Sequence, residues 1–296
     1  MRALLADIGG THSRFALADG QGVRADTLMR LENAAFPDFR AALAHYIEGT
    51  NPAALTGACL AVAGPVESSG AQLTNRNWTV DRAALSEMLA VKRVALLNDL
   101  EAMALALPFV TPAPVTDGAA GLGMGWGLVV GIGTGANICA AAIGAQGVTH
   151  VMACEAGHAS LPASVLRVLT PVMADAERMF PTIESLFSGR GLARLETLLH
   201  APPADAAKAP KARCVFARAL GAWARDLRYL YLPRAGLVFC GAVARIALET
   251  ERGAFLDGFN APVAPDAPAV ACDAYLVTDD AAALWGCYAH LKVAGA

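Results

Sequence analysis

The sequence is poor in charge and lacks the dense basic clusters on which nucleic-acid-binding proteins depend. Charged residues make up 17% of its 296 residues, and the net charge is −3 at pH 7, whereas soluble domains contain about 25% charged residues. No run of lysine and arginine is dense enough to predict a nucleic-acid surface. The chain is therefore expected to bind no nucleic acid, and its 55% hydrophobic content predicts compact globular domains.

Cysteine pairs are also lacking, because the seven cysteines lie apart and no two of them form a C-x-x-C motif. An odd number of thiols without metal-ligand spacing argues against both a disulfide framework and a zinc site. Most of them lie in apolar segments, as buried free thiols do. The first residues show no signal-peptide pattern, so a reducing, cytoplasmic location is expected.

One segment, residues 118–154, contains no Asp, Glu, Lys or Arg and is long enough to cross a bilayer. Glycines recur throughout it, together with polar residues such as Asn137 and Gln146. Strands joined by glycine turns explain this composition better than a membrane helix does. No association with a membrane is therefore expected.

Strand and helix patterns alternate along the chain, which predicts layers of α/β architecture. Two segments each predict three successive short strands joined by tight turns. They are residues 3–9, 13–18 and 22–29 in the first half, and residues 126–130, 137–143 and 148–153 in the second. The Pro-, Gly- and Ala-rich segment 109–125 is the predicted domain crossing. Two domains are expected, one of residues 1–108 with a C-terminal helix at 280–296, the other of residues 109–279.

In both halves a glycine-rich turn joins the first two predicted strands. Residues 7–11 read Asp-Ile-Gly-Gly-Thr, and residues 131–135 read Gly-Ile-Gly-Thr-Gly. Glycine permits positive φ, and the N–H groups of such a turn can bind a phosphate. Asp7 could hold Mg²⁺ through water. An ordinary β-hairpin fits the same residues, but the repeat suggests two related domains that hold one nucleotide from both sides.

Three candidate motifs follow predicted buried strands. At Asn98-Asp99, a carboxylate could accept a proton from a substrate hydroxyl, and capping of the next helix is the simpler alternative. Glu155 and His158 on one turn could bind sugar hydroxyls, with metal binding or a solvated turn as alternatives. Gly241 could expose backbone to an adenine ring or allow close packing of a helix on a strand.

Two isolated polar residues complete the candidates. Asn75 lies in the polar loop 74–78 and could bind a sugar hydroxyl, while the nearby Trp78 is more typical of a core residue. Glu184 precedes a Ser-Gly-Arg-Gly turn at 188–191, and a lone glutamate is usually a surface charge.

Taken in order along the chain, these motifs resemble the bacterial glucokinase family from Leu4 to about His290. The resemblance implies an α/β fold of two actin-like, ribonuclease H-like domains with a cleft between them. It implies a cytoplasmic homodimer that uses ATP and Mg²⁺ to phosphorylate the 6-hydroxyl of glucose or a related hexose.

The resemblance also implies a role for each candidate residue. Asp99 resembles the catalytic base. The residues that resemble the hexose-binding set are Asn75, Asn98, Asp99, Glu155, His158 and Glu184. The residues that resemble the ATP and phosphate elements are Asp7, Gly9, Gly10, Thr11, Gly133, Thr134, Gly135 and Gly241, with Asp7 also at the Mg²⁺ ion.

The chain departs from the family pattern at three places. Ala156 replaces the first glycine of Glu-Gly-Gly-His, Ala242 replaces the second glycine near the adenosine, and Ala136-Asn137 follow the second turn in place of Leu-Gly. An added methyl group could crowd a ligand or demand different backbone angles. Two alternatives therefore stay open. One is a catalytically weak sugar-binding or regulatory homologue, and the other is a kinase of mannose, fructose or an amino sugar.

Overall fold

The computed structural model describes residues 2–74, 76–200, 211–264 and 266–293. The chain divides into two compact units, one of Met1–Val110 with Asp279–Ala296 and one of Thr111–Thr278. Each unit contains a β-sheet and its own buried hydrophobic cores. The mixed α/β class predicted from the sequence is confirmed.

The first unit begins with a five-stranded sheet in the order β3-β2-β1-β4-β7, beside a two-stranded hairpin of β5 and β6. Strands β1–β7 are Ala3–Ile8, His12–Ala18, Met29–Glu32, Gly57–Val62, Gly70–Gln72, Thr79–Asp81 and Val94–Asn98. Helices α1–α3 are Phe39–Thr50, Arg82–Met88 and Asp99–Ala106. Strands β1, β4 and β7 are parallel, and the register aligns Ile8 with Val62 and Val62 with Asn98. The first glycine turn and the Asn98-Asp99 pair therefore follow strands that end at one edge of the sheet.

The third strand lies further along the chain than the sequence predicts. Residues 22–29 contain a single bridge at Val23 and a 3₁₀ turn at Ala25–Thr27, and the strand begins only at Met29. The Thr27 hydroxyl explains the difference. It donates to the carbonyl of Arg24 at 2.7 Å and accepts from the N–H of Leu17 at 2.9 Å, which replaces ladder hydrogen bonds with side-chain ones.

The second unit has a six-stranded sheet in the order β11-β10-β9-β12-β13-β8. Strands β8–β13 are Ala113–Pro114, Gly125–Ile132, Ala136–Gly144, Gly147–Ala153, Gly236–Cys240 and Ala274–Leu276. Helices α4–α10 are Ala163–Leu169, Ala176–Met179, Ile183–Leu186, Gly189–Leu198, Ala212–Tyr231, Ala242–Thr250 and Arg252–Phe259. Strands β9 and β12 are parallel, with Gly131 opposite Cys240. The second glycine turn and Gly241 therefore lie at one edge of this sheet.

The uncharged segment 118–154 forms strands β9, β10 and β11, as predicted, and not a helix. Among the helices that the structure describes, none has the length and apolar character needed to cross a bilayer.

The last helix, α11 (Ala282–Val293), belongs to the first unit and packs directly on α3. The contact is made by backbone, because a methyl group added at Gly286 would overlap the carbonyl oxygen of Ala102. Helix α3 begins at Asp99. This close crossing therefore positions the helix that carries the predicted catalytic base.

We expect Gly286→Ala to destabilise the protein by about 1–3 kcal/mol or more, since overpacking forces the backbone of two helices apart. Thermal unfolding measures the loss. The matched control is Gly253→Ala in α10, where an added methyl group meets no described atom within 4 Å. That variant is expected to be neutral or slightly stabilised, because alanine is the better helix former. Equal melting temperatures for the two variants would contradict the close crossing.

Candidate active site

The first glycine turn is closed by a hydrogen bond from the N–H of Gly9 to the carbonyl of His12 at 3.0 Å. A buried side chain, Asn33, braces the turn from outside. Its Nδ2 donates to the carbonyls of Gly9 at 2.7 Å and Gly10 at 3.3 Å. The hydroxyl of Ser13 donates to its Oδ1 at 2.7 Å, and the N–H of Asn33 donates to the carbonyl of Thr11 at 2.9 Å.

Sequence reasoning did not find Asn33. Strand β3 pairs with β2 so that Glu32 lies opposite His12, and the next residue is thereby carried beside the turn. The sequence offers no signal for it, because the strand predicted there ends at residue 29 and Asn33 directly follows a strand only in the structure. These hydrogen bonds engage the carbonyls of Gly9, Gly10 and Thr11 and so fix the conformation of the turn.

Asp7 lies opposite Arg14 in the antiparallel pair of β1 and β2. The guanidinium Nη1 of Arg14 is 3.2 Å from Asp7 Oδ2, and its Nη2 is 3.9 Å from Asp280. Burial raises the pKa of Asp7, and the charge and hydrogen bond of Arg14 act in the opposite direction. Asp7 is thus a largely buried carboxylate whose charge is balanced by one arginine.

The structure shows helix capping at the Asn98-Asp99 pair. Asn98 caps α3: its Oδ1 accepts from the N–H of Leu100 at 2.9 Å, and its own N–H donates to Glu101 Oε2 at 3.0 Å. The Nδ2 of Asn98 donates to the carbonyl of Gly64 at 3.3 Å. Asp99 is the first helical residue, where its Oδ1 accepts from Leu100 at 2.9 Å.

In the second unit the glycine turn at 133–135 is closed by the N–H of Gly133, which donates to the carbonyl of Gly135 at 2.9 Å. The N–H of Gly189 donates to the carbonyl of Gly133 at 2.9 Å, so the beginning of α7 is attached to the turn. Gly241 has φ +96°, and a side chain there would overlap the carbonyl of Ile132. The structure is compatible with both interpretations of Gly241. The lack of a side chain allows close packing against Ile132, and it also leaves backbone without a side chain beside the glycine turn.

Glu184 is more than a surface charge. Its Oε2 accepts a hydrogen bond from the N–H of Ala136 at 3.2 Å, and its Oε1 lies 3.7 Å from Arg190. A side chain at Gly135 would overlap this carboxylate. The predicted glycine turn and the predicted hexose residue are therefore in direct contact.

Glu155 precedes a 3₁₀ turn at Ala156–His158. Asn137 contacts both parts of this segment, since its Nδ2 donates to Glu155 Oε2 at 3.2 Å and its Oδ1 accepts from the N–H of Ala156 at 2.9 Å. The sequence marked Asn137 only as a departure from the family pattern. Its role depends on the pairing of β10 with β11, which brings residues 19 apart in sequence together.

The expected backbone demand at Ala156 and Ala242 is absent. Among the described residues other than glycine, positive φ occurs at Asn51, Ala90 and Leu232. Ala242 begins α9 with ordinary helical geometry, since the positive φ falls on Gly241. The methyl groups at both positions are therefore accommodated without backbone strain.

Asn75 lies outside the described residues. Its neighbour Arg76 stacks on the ring of Trp78 at 4.6 Å and donates to the carbonyl of Asn33 at 2.6 Å. Trp78 is buried in the core of the first unit, as its predicted packing role requires. The loop that carries the predicted sugar residue is thus joined to the residue that braces the first glycine turn.

The candidates form one group in each unit. In the first unit Asp7 and the turn at 9–11 lie at the end of β1, and the Asn98-Asp99 pair lies at the end of β7, which is separated from β1 by β4 alone in the same sheet. In the second unit the turn at 133–135, Glu155 and Glu184 are connected through consecutive residues of β10. Among the described residues no group of three or more His, Cys, Asp or Glu is arranged to hold a metal ion.

Comparison with known proteins gives the same family as the resemblance in the sequence, and the match extends across the chain. A sequence model of the Glucokinase family matches residues 4–294. Glucokinase of Pseudomonas paraeruginosa is 33% identical over 204 residues, which cover 65% of this chain and 58% of that protein. The aligned part of the chain thus spans less than two thirds of that relative. Glucokinase of Chromobacterium violaceum is 30% identical over 97% of this chain and 88% of its own length.

A solved structure extends this similarity to the fold. The crystal structure of glucokinase from an Antarctic psychrotroph has a TM-score of 0.72 and 25% identity, and the match covers 99% of each chain. The predicted actin-like α/β fold class is confirmed by this neighbour.

Proposed function

The chain belongs to the glucokinase family, and from that premise we propose that it is an ATP-dependent hexose kinase that phosphorylates the 6-hydroxyl of glucose. The observation that carries the proposal is the carboxylate of Asp99 at the beginning of α3, directly after the capping residue Asn98. Phosphoryl transfer needs little covalent chemistry from the protein, so a positioned base and held phosphates suffice.

In this mechanism Asp99 accepts a hydrogen bond from the 6-hydroxyl, orients its oxygen toward the γ-phosphorus and takes its proton as the bond to phosphorus forms. The bond from the γ-phosphorus to the bridging oxygen breaks, and ADP leaves. The other hydroxyls of the sugar are bound by the remaining hexose residues. These are Asn75, Asn98, Glu155, His158 and Glu184.

The phosphates of ATP are held by the later N–H groups of the two glycine turns, at Gly10 and Thr11 and at Thr134 and Gly135, which act as anion-binding nests. Gly241 is the proposed adenosine contact. When bound, Mg²⁺ neutralises charge on the phosphate oxygens, and it takes few protein ligands because waters and phosphates fill its coordination sphere. The carboxylate chemistry of Asp7, at the end of β1 beside the first turn, fits such a water-mediated ligand.

The wild-type protein is expected to release ADP from Mg²⁺-ATP only when a hexose is present, with the highest kcat/KM for glucose. A coupled ADP-release assay with glucose, mannose, fructose and glucosamine measures this preference. A higher kcat/KM for another of these sugars would assign the site to that hexose. Glucose binding in calorimetry without ADP release would instead indicate a sugar-binding regulator. The unstrained backbone at Ala156 and Ala242 argues for the active kinase.

The family resemblance further leads us to propose a homodimer in the cytoplasm. Light scattering on the purified chain tests the proposed homodimer, because a dimer has twice the mass of one chain. Both points are independent of the assignment of Asp99.

A further inference from the structure

We propose that Asn137 is a positioning residue for the hexose, because its side-chain amide holds the Glu155 carboxylate and the turn that leads to His158. This inference rests on the proposed kinase activity, in which Glu155 and His158 bind sugar hydroxyls. Asn137 is thereby expected to influence the affinity and selectivity for the sugar, whereas ATP binding depends on other residues.

The amide of Asn137 has a single possible orientation. Its Oδ1 accepts two backbone hydrogen bonds, from Ile138 and from Ala156, each at 2.9 Å. An exchange of oxygen and nitrogen would place an NH₂ group against two N–H donors, which cannot bond to it. Nδ2 is therefore fixed on the side of Glu155, where it donates to Oε2 at 3.2 Å.

The hydrogen bond to Glu155 is made to a charged acceptor, and such bonds are stronger than neutral ones. In the part of the chain that the structure describes, no arginine, lysine or histidine forms an ion pair with Glu155. Glu184, in contrast, has Arg190 beside it. The orientation of the Glu155 carboxylate therefore depends on Asn137 more than that of Glu184 depends on any one side chain.

Strand β10 connects this contact to the second glycine turn. Its first residue, Ala136, donates its N–H to Glu184, and its second residue, Asn137, donates its side chain to Glu155. The strand that follows the phosphate turn thus holds both hexose carboxylates from consecutive positions. Asn137 and Ala156, two positions at which the chain departs from the family pattern, are bonded to each other.

The decisive comparison is between Asn137→Ala and Asn137→Asp. Alanine removes every hydrogen bond of the side chain. Aspartate keeps an oxygen that can accept from Ile138 and Ala156, but it replaces the donor to Glu155 with a second negative charge. A purely structural role in the turn is therefore preserved in Asn137→Asp, whereas the positioning of Glu155 is lost in both variants.

We expect both variants to raise the KM for glucose by about 10-fold or more, with the larger increase in Asn137→Asp, since a hydrogen bond to a charged group is removed. The KM for ATP is expected to stay within about twofold. Steady-state kinetics in the ADP-release assay, with calorimetry for glucose binding, measure both constants. The control is Asn260→Ala, which changes an exposed asparagine at the end of α10 and is expected to match the wild type.

Three outcomes would overturn the proposal. They are an unchanged KM for glucose in both variants, an increase in Asn137→Ala that is absent from Asn137→Asp, and equal increases in the KM values for glucose and ATP. Failure of the proposed function would be seen in the wild type itself, which would then neither bind glucose nor release ADP. The proposed role of Asn137 would be refuted by the same result.

Discussion

Replacement of Asp99 by asparagine is expected to lower kcat with glucose about 10³-fold or more, while glucose binding changes far less. Asparagine keeps an oxygen that accepts from the N–H of Leu100, as Asp99 does at 2.9 Å, so α3 begins as in the wild type. It cannot take the proton of the 6-hydroxyl. General-base catalysis contributes about 10²–10⁴-fold, and loss of orientation adds to that effect. The ADP-release assay gives kcat, and calorimetry gives the dissociation constant for glucose.

Glu101→Gln is the matched control for that variant. Glu101 lies in the same first turn of α3 and accepts from the N–H of Asn98 through Oε2, which the amide oxygen of glutamine also does. Removal of this charge is expected to leave kcat within a few-fold of the wild type. Turnover of Asp99→Asn near the wild-type value, or an equal loss in both variants, would show that Asp99 is not the base.

The local features of the site were predictable from the sequence because their causes are local. Glycine turns, helix caps and apolar strands depend on residues within a few positions of one another. The two glycine turns are therefore found where the sequence indicates them, at the ends of β1 and β9. The pattern of residues 163–179 predicts a single helix, and this prediction is wrong. Helix α4 ends at Leu169 and α5 begins at Ala176, since Pro171 interrupts the pattern.

Asn33 and Asn137 escaped prediction for the opposite reason. The amide of Asn33 bonds to Gly9 across 24 positions in sequence, and that of Asn137 bonds to Glu155 across 18. Each contact exists only because the register of two strands brings the residues together. A shift of one residue would turn each side chain to the other face of its sheet. Sequence periodicity identifies strands but leaves such a register open.

Helix capping and catalysis are alternative interpretations of Asn98-Asp99 in the sequence, and the capping bonds in the structure are compatible with a catalytic role for Asp99. Asn98 provides the capping oxygen and Glu101 closes the capping box, and these bonds fix the first turn of α3, which contains Asp99. A helix cap is a rigid element, and a rigid element is where a catalytic group keeps its geometry. The cap at Asn98 therefore supports the proposal that Asp99 is the catalytic base.

Replacement of Asp7 by asparagine is expected to raise the Mg²⁺ concentration needed for half-maximal activity about 10- to 100-fold, the usual effect of losing a ligand that acts through water. The folded state is expected to tolerate the change. Burial raises the pKa of Asp7, so a neutral amide of the same shape avoids the cost of burying its charge, and Asp280, 3.9 Å from Arg14, still faces the guanidinium. Titration of Mg²⁺ in the ADP-release assay, after EDTA treatment that abolishes wild-type activity, measures the shift.

The control for Asp7→Asn is Asp26→Asn, since Asp26 also pairs with an arginine, Arg24, at 2.6 Å but is exposed. Its Mg²⁺ dependence is expected to equal that of the wild type. An unchanged Mg²⁺ dependence in Asp7→Asn would return the first glycine turn to an ordinary β-hairpin. A lower melting temperature in Asp7→Asn, together with an unchanged Mg²⁺ dependence, would show that Asp7 stabilises the fold through its pair with Arg14 and does not serve the metal. Retained stability with a shifted Mg²⁺ requirement would assign Asp7 to Mg²⁺ binding and not to stabilisation of the fold. Burial of a carboxylate costs stability, and such a cost is typical of residues that serve a functional site.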